Sequence, residues 1–271
     1  MSETFTVGGG ELHVVRRGSG EPLLLIQGMS GSHLSWGDPF TELLAEQVET
    51  FAYDHRGIGR SSRVQDPFSI TDLADDAALL LDALGLESAH VLGISMGGMV
   101  AQELALRHPE RVRTLALGCT YCGGPGASLT EEAVITRLGE GMMSGDRERA
   151  IRTGYEINVA PSFAADEANY APFREMAMAM PAPVPVIMLQ MQAIAAHDTS
   201  KRLGEVRAPT LVVHGDEDQM LGVANGRLIA SLIPGARLEV LEGVGHLFWW
   251  EQPERSAEVV LAHVAAAAAS A

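Results

Sequence analysis

The sequence predicts an α/β fold: a mostly parallel sheet flanked by helices on both faces. Three observations carry that prediction. Short apolar runs alternate with longer amphipathic stretches. One run, Leu23–Ile26, is apolar at every position, as a strand covered on both faces must be. The alternation breaks once, between about Gly123 and Glu205, where the pattern is helical instead. Alternating strands and helices imply a parallel sheet because parallel neighbours can be joined only by a crossover.

Taken in order, Leu12–Arg16 alternates like an exposed strand, and Leu23–Ile26 and Thr50–Tyr53 are the next two strands. Ile70–Leu84 places Ile70, Leu73, Ala77, Leu80, Leu81 and Leu84 on one helical stripe, with Asp72, Asp75, Asp76 and Asp82 elsewhere and Gly85 as the stop. His90–Ile94 is a strand, and Met96–Arg107 is a helix that ends before Pro109. Val112–Leu117, Thr210–His214 and Arg237–Leu241 are strands. Glu251–Ala268 is a closing helix with Pro253 near its start, and Ala265–Ala271 reads as its fraying tail. The intervening stretch holds seven of the twelve methionines and Pro125, Pro161, Pro172, Pro181, Pro183 and Pro185. Leu129–Met143 and Met188–Leu203 look helical within it. It reads as an insertion, residues 123–205, in a core made of residues 1–122 and 206–271.

At 271 residues and 46% apolar, the chain can bury a sizeable core. Its net charge of −16 argues against nucleic acid and anionic membranes as partners. The first 20 residues show no apolar leader, and no run approaches the roughly eighteen residues of a membrane span. The expectation is a soluble cytoplasmic protein. Cys119 and Cys122 form a C-x-x-C, but Gly123, Gly124 and Pro125 follow. No helix N-terminus would then lower a thiol pKa, so both read as inert thiols at a strand end.

Gly93-Ile94-Ser95-Met96-Gly97 fits G-x-S-x-G between a strand and a helix. A serine on so sharp a turn has a strained backbone, tolerates only small residues two positions away, and projects its hydroxyl from the sheet edge. A dinucleotide fingerprint would need glycine where Ser95 stands, and a phosphate loop would need a lysine. Serine needs an adjacent base to act as a nucleophile. Of nine histidines, His246 in Gly243-Val244-Gly245-His246 follows the last strand, at the sheet end where ligand chemistry gathers. His214 ends an apolar strand and reads as structural. The others, such as His13, His33, His55 and His90, lie in polar-surface or strand-end contexts. Three acids, Asp216, Glu217 and Asp218, follow the preceding strand and can orient the base. His214-x-Asp216-x-Asp218 also looks like a metal-ligand run, but no second cluster matches it, and no metal is expected.

With these motifs in place, the whole chain resembles the α/β-hydrolase-fold serine hydrolases of the esterase, lipase and enol-lactonase type. The resemblance rests on Leu24 to Gly28, Tyr53 to Ser61, Gly93 to Gly98, His214 to Asp218 and Gly243 to His246, in that order. It implies a triad of Ser95, Asp218 and His246, the acid being the fourth residue of a Gly-x-x-Asp segment, with Asp216 next in line. It implies that the insertion is a helical cap roofing the site. It implies backbone oxyanion donors at Met29 and Met96, with Gln27, Gly28 and Met99 lining the pocket. Gln27-Gly28 departs from the family's His-Gly. The Asp54-His55-Arg56 turn is structural by the same resemblance, with Arg56 pairing to carboxylates. The implied activity is cleavage of an ester, thioester or lactone through an acyl-enzyme, without a cofactor. The Met-rich insertion and the acidic field point to a small, uncharged, largely apolar substrate. An acyltransferase, a perhydrolase or cofactor-free oxygenase, and a small-molecule receptor share the fold. The sequence leaves a homo-oligomer open.

Overall fold

The computed structural model describes residues 1–268. Its strands are β1 (Ser2–Val7), β2 (Gly10–Arg17), β3 (Pro22–Ile26), β4 (Glu49–Tyr53), β5 (Ala89–Ile94), β6 (Val112–Gly118), β7 (Thr210–Gly215) and β8 (Arg237–Leu241). They form one sheet in the order β1-β2-β4-β3-β5-β6-β7-β8. The β1–β2 and β2–β4 pairs are antiparallel and the rest are parallel. The helices are α1 (Asp38–Ala45), α2 (Ile70–Ala83), α3 (Met96–Arg107), α4 (Glu132–Met143), α5 (Arg147–Asn158), α6 (Pro161–Ala164), α7 (Glu167–Ala179), α8 (Val184–Ala195), α9 (Ala224–Leu232), α10 (Phe248–Glu251) and α11 (Pro253–Ala268). No single helix among the described residues is long and apolar enough to cross a membrane.

Alternation along each central strand divides the core in two. Leu23, Leu25, Leu92, Ile94, Leu211 and Val213 pack with Phe40 and Leu44 of α1, Phe248 of α10 and Val260 and Val264 of α11. Leu24, Ile26, Val91, Leu115, Leu117 and Val212 pack with Leu73, Leu80 and Leu81 of α2, Val100 and Leu104 of α3 and Ile229 of α9. The α2 stripe is the one its periodicity predicts, and a Ser69–Asp72 capping box starts it. Asp76 on that helix is buried, however, in a bidentate pair with Arg56 at 2.7 and 2.6 Å.

Four parts differ from the sequence reading, one being the helix expected over Met188–Leu203, which is α8 at Val184–Ala195 instead. The N-terminal segment is a hairpin, β1–β2, turned by Gly8 and Gly9 with φ of 55° and 85°. Glycines in two such successive positions suit the turn that matches strand twist. Leu12 and Val14 of β2 pack into the cluster with α2, so they are buried rather than exposed. α1 and α9 are additional helices, and the closing segment is split into α10 and α11. α11 runs through Ala268, and the end of the Ala265–Ala271 tail lies outside the described residues.

β3 and β5 are neighbours, yet the chain leaves β3 for β4 on one side and β5 for β6 on the other. This reversal of strand order opens a crevice at the carboxyl ends of the two strands. Ile26 pairs with Gly93, and Ile94 with Gly118. The loops starting at Gln27, Ser95 and Cys119 therefore leave the sheet side by side.

Asp54, fully buried at the end of β4, braces this edge. One carboxylate oxygen accepts from the His33 amide and faces His33 Nδ1, at 2.7 and 2.9 Å; the other accepts from the Arg60 amide at 3.0 Å. Each buried donor orphaned by losing its acceptor costs about 1–3 kcal/mol. Asp54→Ala should therefore destabilise the protein by about 2–4 kcal/mol in urea denaturation. Asp38→Ala, which breaks an exposed pair with Arg17, should cost about 1 kcal/mol or less. Equal effects would show that Asp54 does not brace the loops.

Candidate active site

Ser95 has φ 53° and ψ −122°, a conformation that strains any residue with a side chain. Its surroundings hold it there. The Ser95 amide donates to Gly118 O at 2.9 Å, and Thr120 Oγ1 donates to Ser95 O at 2.6 Å. A Cβ on Gly97 would stand 2.0 Å from Ile26 O, and one on Gly93 would stand 2.3 Å from Gly97 O. Only glycines allow the first turn of α3 to lie this close to β3 and β5.

Asp218, three residues beyond β7, and His246, five beyond β8, meet across their loops: His246 Nδ1 is 2.7 Å from Asp218 Oδ2. The other Asp218 oxygen accepts from the Met220 and Leu221 amides, both at 2.8 Å. His214 Nε2 stands 3.2 Å from Asp218 Oδ2 and 2.5 Å from Leu221 O. Asp216 lies elsewhere, accepting from the Gly243 amide at 2.8 Å. Burial opposes charge on Asp218, but His246 and His214 outweigh it and hold the carboxyl well below its usual range. Burial likewise opposes charge on His246, and the Asp218 carboxylate overcomes it, raising the imidazole well above its ordinary value.

Ser95 Oγ and His246 share no hydrogen bond among the described residues. The thiol of Cys119 is within hydrogen-bonding reach of the imidazole and of the Ser95 backbone. Cys119 follows β6 with φ 38° and is fully buried, and burial pushes its thiol pKa up. Its place beside His246 left no signal in the sequence. Cys122, also buried, is pushed up to about 11 by burial.

The loop after β3 faces the elbow, and a Cβ on Gly28 would touch Ser95 Cβ at 3.1 Å. Its amides are engaged on both sides of Met29. Gly28 N donates to Gln27 Oε1 at 2.7 Å, Ser30 N to Gln190 Oε1 at 2.9 Å, and Gly31 N to Gly28 O at 3.2 Å. The Met29 amide has no acceptor among the described residues. Met96 opens α3, where amides have no intrahelical partner. Met99 is buried in the cluster beneath α3, so its side chain serves packing. Gln190, on α8, escaped the sequence reading because nothing local ties it to Ser30.

Several histidines read in polar-surface or strand-end contexts are buried, among them His13, His55, His90, His197 and His263. Imidazole can be buried when its nitrogens find partners: His55 Nε2 meets Gln27 O at 2.9 Å and His90 Nδ1 meets Thr114 Oγ1 at 2.8 Å. His13, His33 and Asp54 are grouped with ligand atoms within 4.8 Å of one another, spacing a metal ion could use. Both carboxylate oxygens of Asp54 already accept from backbone amides.

Glu251, on α10, accepts from the Gly245 amide at 2.9 Å and the Ala160 amide at 3.0 Å, joining the His246 loop to the segment after α5. Burial pushes its carboxyl up to about 7, with Glu217 and Asp218 adding repulsion and the two amides opposing.

Two pH effects follow. The His246 ring, followed by NMR, should titrate above the free-histidine value of about 6.5 and move down in Asp218→Asn; an unmoved value would remove the ion pair as the cause. Glu251 binds its proton more tightly folded than unfolded, where a glutamate titrates near about 4.3. Its contribution to stability should be complete below that pH and lost as pH rises to about 7. The melting temperature should therefore fall across that window in the wild type and fall less in Glu251→Gln. Parallel curves would rule the residue out.

The model of the alpha/beta hydrolase fold family matches residues 21–253. A protein of Azorhizobium caulinodans named as the carbamate hydrolase RutD is 32% identical over 94% of this chain and 95% of its own. A poly(3-hydroxyalkanoate) depolymerase of Ectopseudomonas oleovorans is 32% identical over 89% of this chain and 83% of its own. The crystal structure of a hydrolase from Pseudomonas aeruginosa PA01 superposes with a TM-score of 0.83, at 29% identity, covering 97% of this chain and 98% of that one. With its sheet order, its strained serine turn and this match over most of its length, the chain belongs to the α/β-hydrolase fold family.

Proposed function

We propose that this hydrolase-family protein is a serine hydrolase that cleaves a carboxylic ester, thioester or lactone through an acyl-enzyme. The observation that carries this reading is the buried Asp218–His246 hydrogen bond on the same sheet edge as the strained Ser95. His246 takes the proton of Ser95 Oγ as that oxygen attacks the carbonyl carbon. Asp218 holds the imidazole in the tautomer with Nδ1 protonated and stabilises the imidazolium that forms. The Met29 and Met96 amides receive the oxyanion, each donor worth about 3–4 kcal/mol in the transition state. His246 then gives its proton to the leaving oxygen or sulfur, the C–O or C–S bond breaks, and water activated by the same imidazole releases the acid.

The named relatives support a carbonyl flanked by a heteroatom as the reacting group, an ester in one and a carbamate in the other. In this reading helices α4–α8 form the cap. Gln190 on Ser30, Met176 beside Ser35 Oγ, and Ala160 on Glu251 tie that segment to the site loops. Met142, Met143, Met178, Met188 and Met191 are exposed on it, so they do not fill a core between its helices. Arg137, Arg152, Arg174 and Arg202 are each engaged by glutamates. An apolar surface with four of its six arginines already paired to glutamates favours an uncharged, largely apolar substrate.

Ser95→Ala should lower kcat for neutral p-nitrophenyl esters by at least about 10³-fold, and a fluorophosphonate should label the wild type at Ser95 alone. Neutral esters should outperform dicarboxylate half-esters in kcat/KM. Labelling that persists in the variant would sink the nucleophile, and a preference for half-esters would sink the substrate class.

A further inference from the structure

Two carboxamides brace the oxyanion loop, and both do so with their oxygens alone. Gln27 Oε1 accepts from Gly28 N and Gln190 Oε1 from Ser30 N, the amides on either side of Met29. Because each backbone group is a donor, each side-chain oxygen is fixed as the partner, and the placement of each Nε2 follows. Both nitrogens are buried and have no hydrogen-bond partner. Gln27 is 3% exposed and Gln190 is 0% exposed. Gln27 is folded over the loop tightly enough that a Cβ on Gly31 would stand 2.4 Å from its Cγ. An amide nitrogen lies about 2.3 Å from its own oxygen. Each Nε2 therefore stands within about 5 Å of the loop amide that its oxygen accepts from. A buried, unsatisfied donor is costly, and two set against one loop call for an acceptor.

We propose that Gln27 Nε2 and Gln190 Nε2 are a specificity subsite for an oxygen on C2 or C3 of the acyl group, a hydroxyl or oxo group next to the scissile carbonyl. The subsite rests on the serine hydrolase reading and deepens it. With the scissile oxygen at the Met29 amide, donors held against Gly28 and Ser30 on either side can meet an acceptor two or three bonds from the carbonyl carbon. The oxygen must be neutral: Arg152 and Arg174 of the cap are paired with glutamates, and the Asp218 carboxylate beside His246 repels an anion. Beyond C3 the acyl chain remains apolar. A site built to donate to an oxygen discriminates strongly against the analogue that lacks it, because its donors are then left unpaired.

The test compares p-nitrophenyl 3-hydroxybutyrate with p-nitrophenyl butyrate and reads the ratio of their kcat/KM values within each enzyme. The wild type should favour the hydroxylated ester by at least about tenfold, equivalent to about 1.4 kcal/mol. Gln190→Glu keeps an oxygen for the Ser30 amide but removes the donor, and Gln190→Met removes both; each should lower the ratio at least about fivefold. Gln27→Glu should do the same. A purely structural brace predicts otherwise: Gln190→Met slows both esters equally and Gln190→Glu leaves the ratio alone. A wild-type ratio near one, or a ratio unchanged in all three variants, overturns the subsite while hydrolysis of both esters leaves the hydrolase reading standing. Failure to hydrolyse either ester overturns both.

Discussion

The close approach of the first turn of α3 to the end of β3 is the constraint on which the site depends. With a Cβ on Gly97 placed 2.0 Å from Ile26 O, no side chain can stand there without moving the sheet or the helix. The same contact forces the left-handed turn at Ser95, points the start of α3 at the crevice, and seats Gly28 against the serine. Strain of about 1–3 kcal/mol at such a residue persists only where its neighbours over-determine it. Here the Gly118 carbonyl, the Thr120 hydroxyl and two glycine contacts do so.

Charge in this acidic molecule is sorted by its partners. Asp218 and Glu251 both accept from two backbone amides and lie near each other. They are displaced in opposite directions. Asp218 has two imidazoles against it, and its charge is stabilised; Glu251 has no cation and faces Glu217 and Asp218, so its proton is retained. The arrangement keeps one negative charge where it can act on His246 and suppresses a second beneath the same loop.

Loops rather than strands carry Ser95, Asp218 and His246, and polar side chains drawn from distant elements hold the loops. Asp54 ties the turn after β4 to the loop after β3, His55 caps Gln27 O, and Gln190 reaches Ser30 from α8. Such a loop gains rigidity without a hydrophobic core of its own, since each bond satisfies a buried backbone group that would otherwise be orphaned.

The sequence by itself determined what local sterics and periodicity encode. Continuous apolar runs specified the two-faced central strands, the α2 stripe its buried side, and the glycines around Ser95 a turn too tight for side chains. It also singled out His246 among the histidines and, through the spacing of a known motif, favoured Asp218 while leaving Asp216 next in line. The β1–β2 hairpin was not read from the sequence, because the polar residues that flank Gly8-Gly9 mask the alternation. Tertiary structure alone decided the rest. Separating Asp218 from Asp216 required the paths of two loops, one turning toward His246 and the other toward the Gly243 amide. Cys119 beside the imidazole depends on where β6 ends relative to β8. Gln190 and Ser30 lie 160 residues apart and meet only because α8 folds back over the crevice. Helical period and glycine sterics act over a few residues, whereas a contact between distant loops depends on the register of every strand between them.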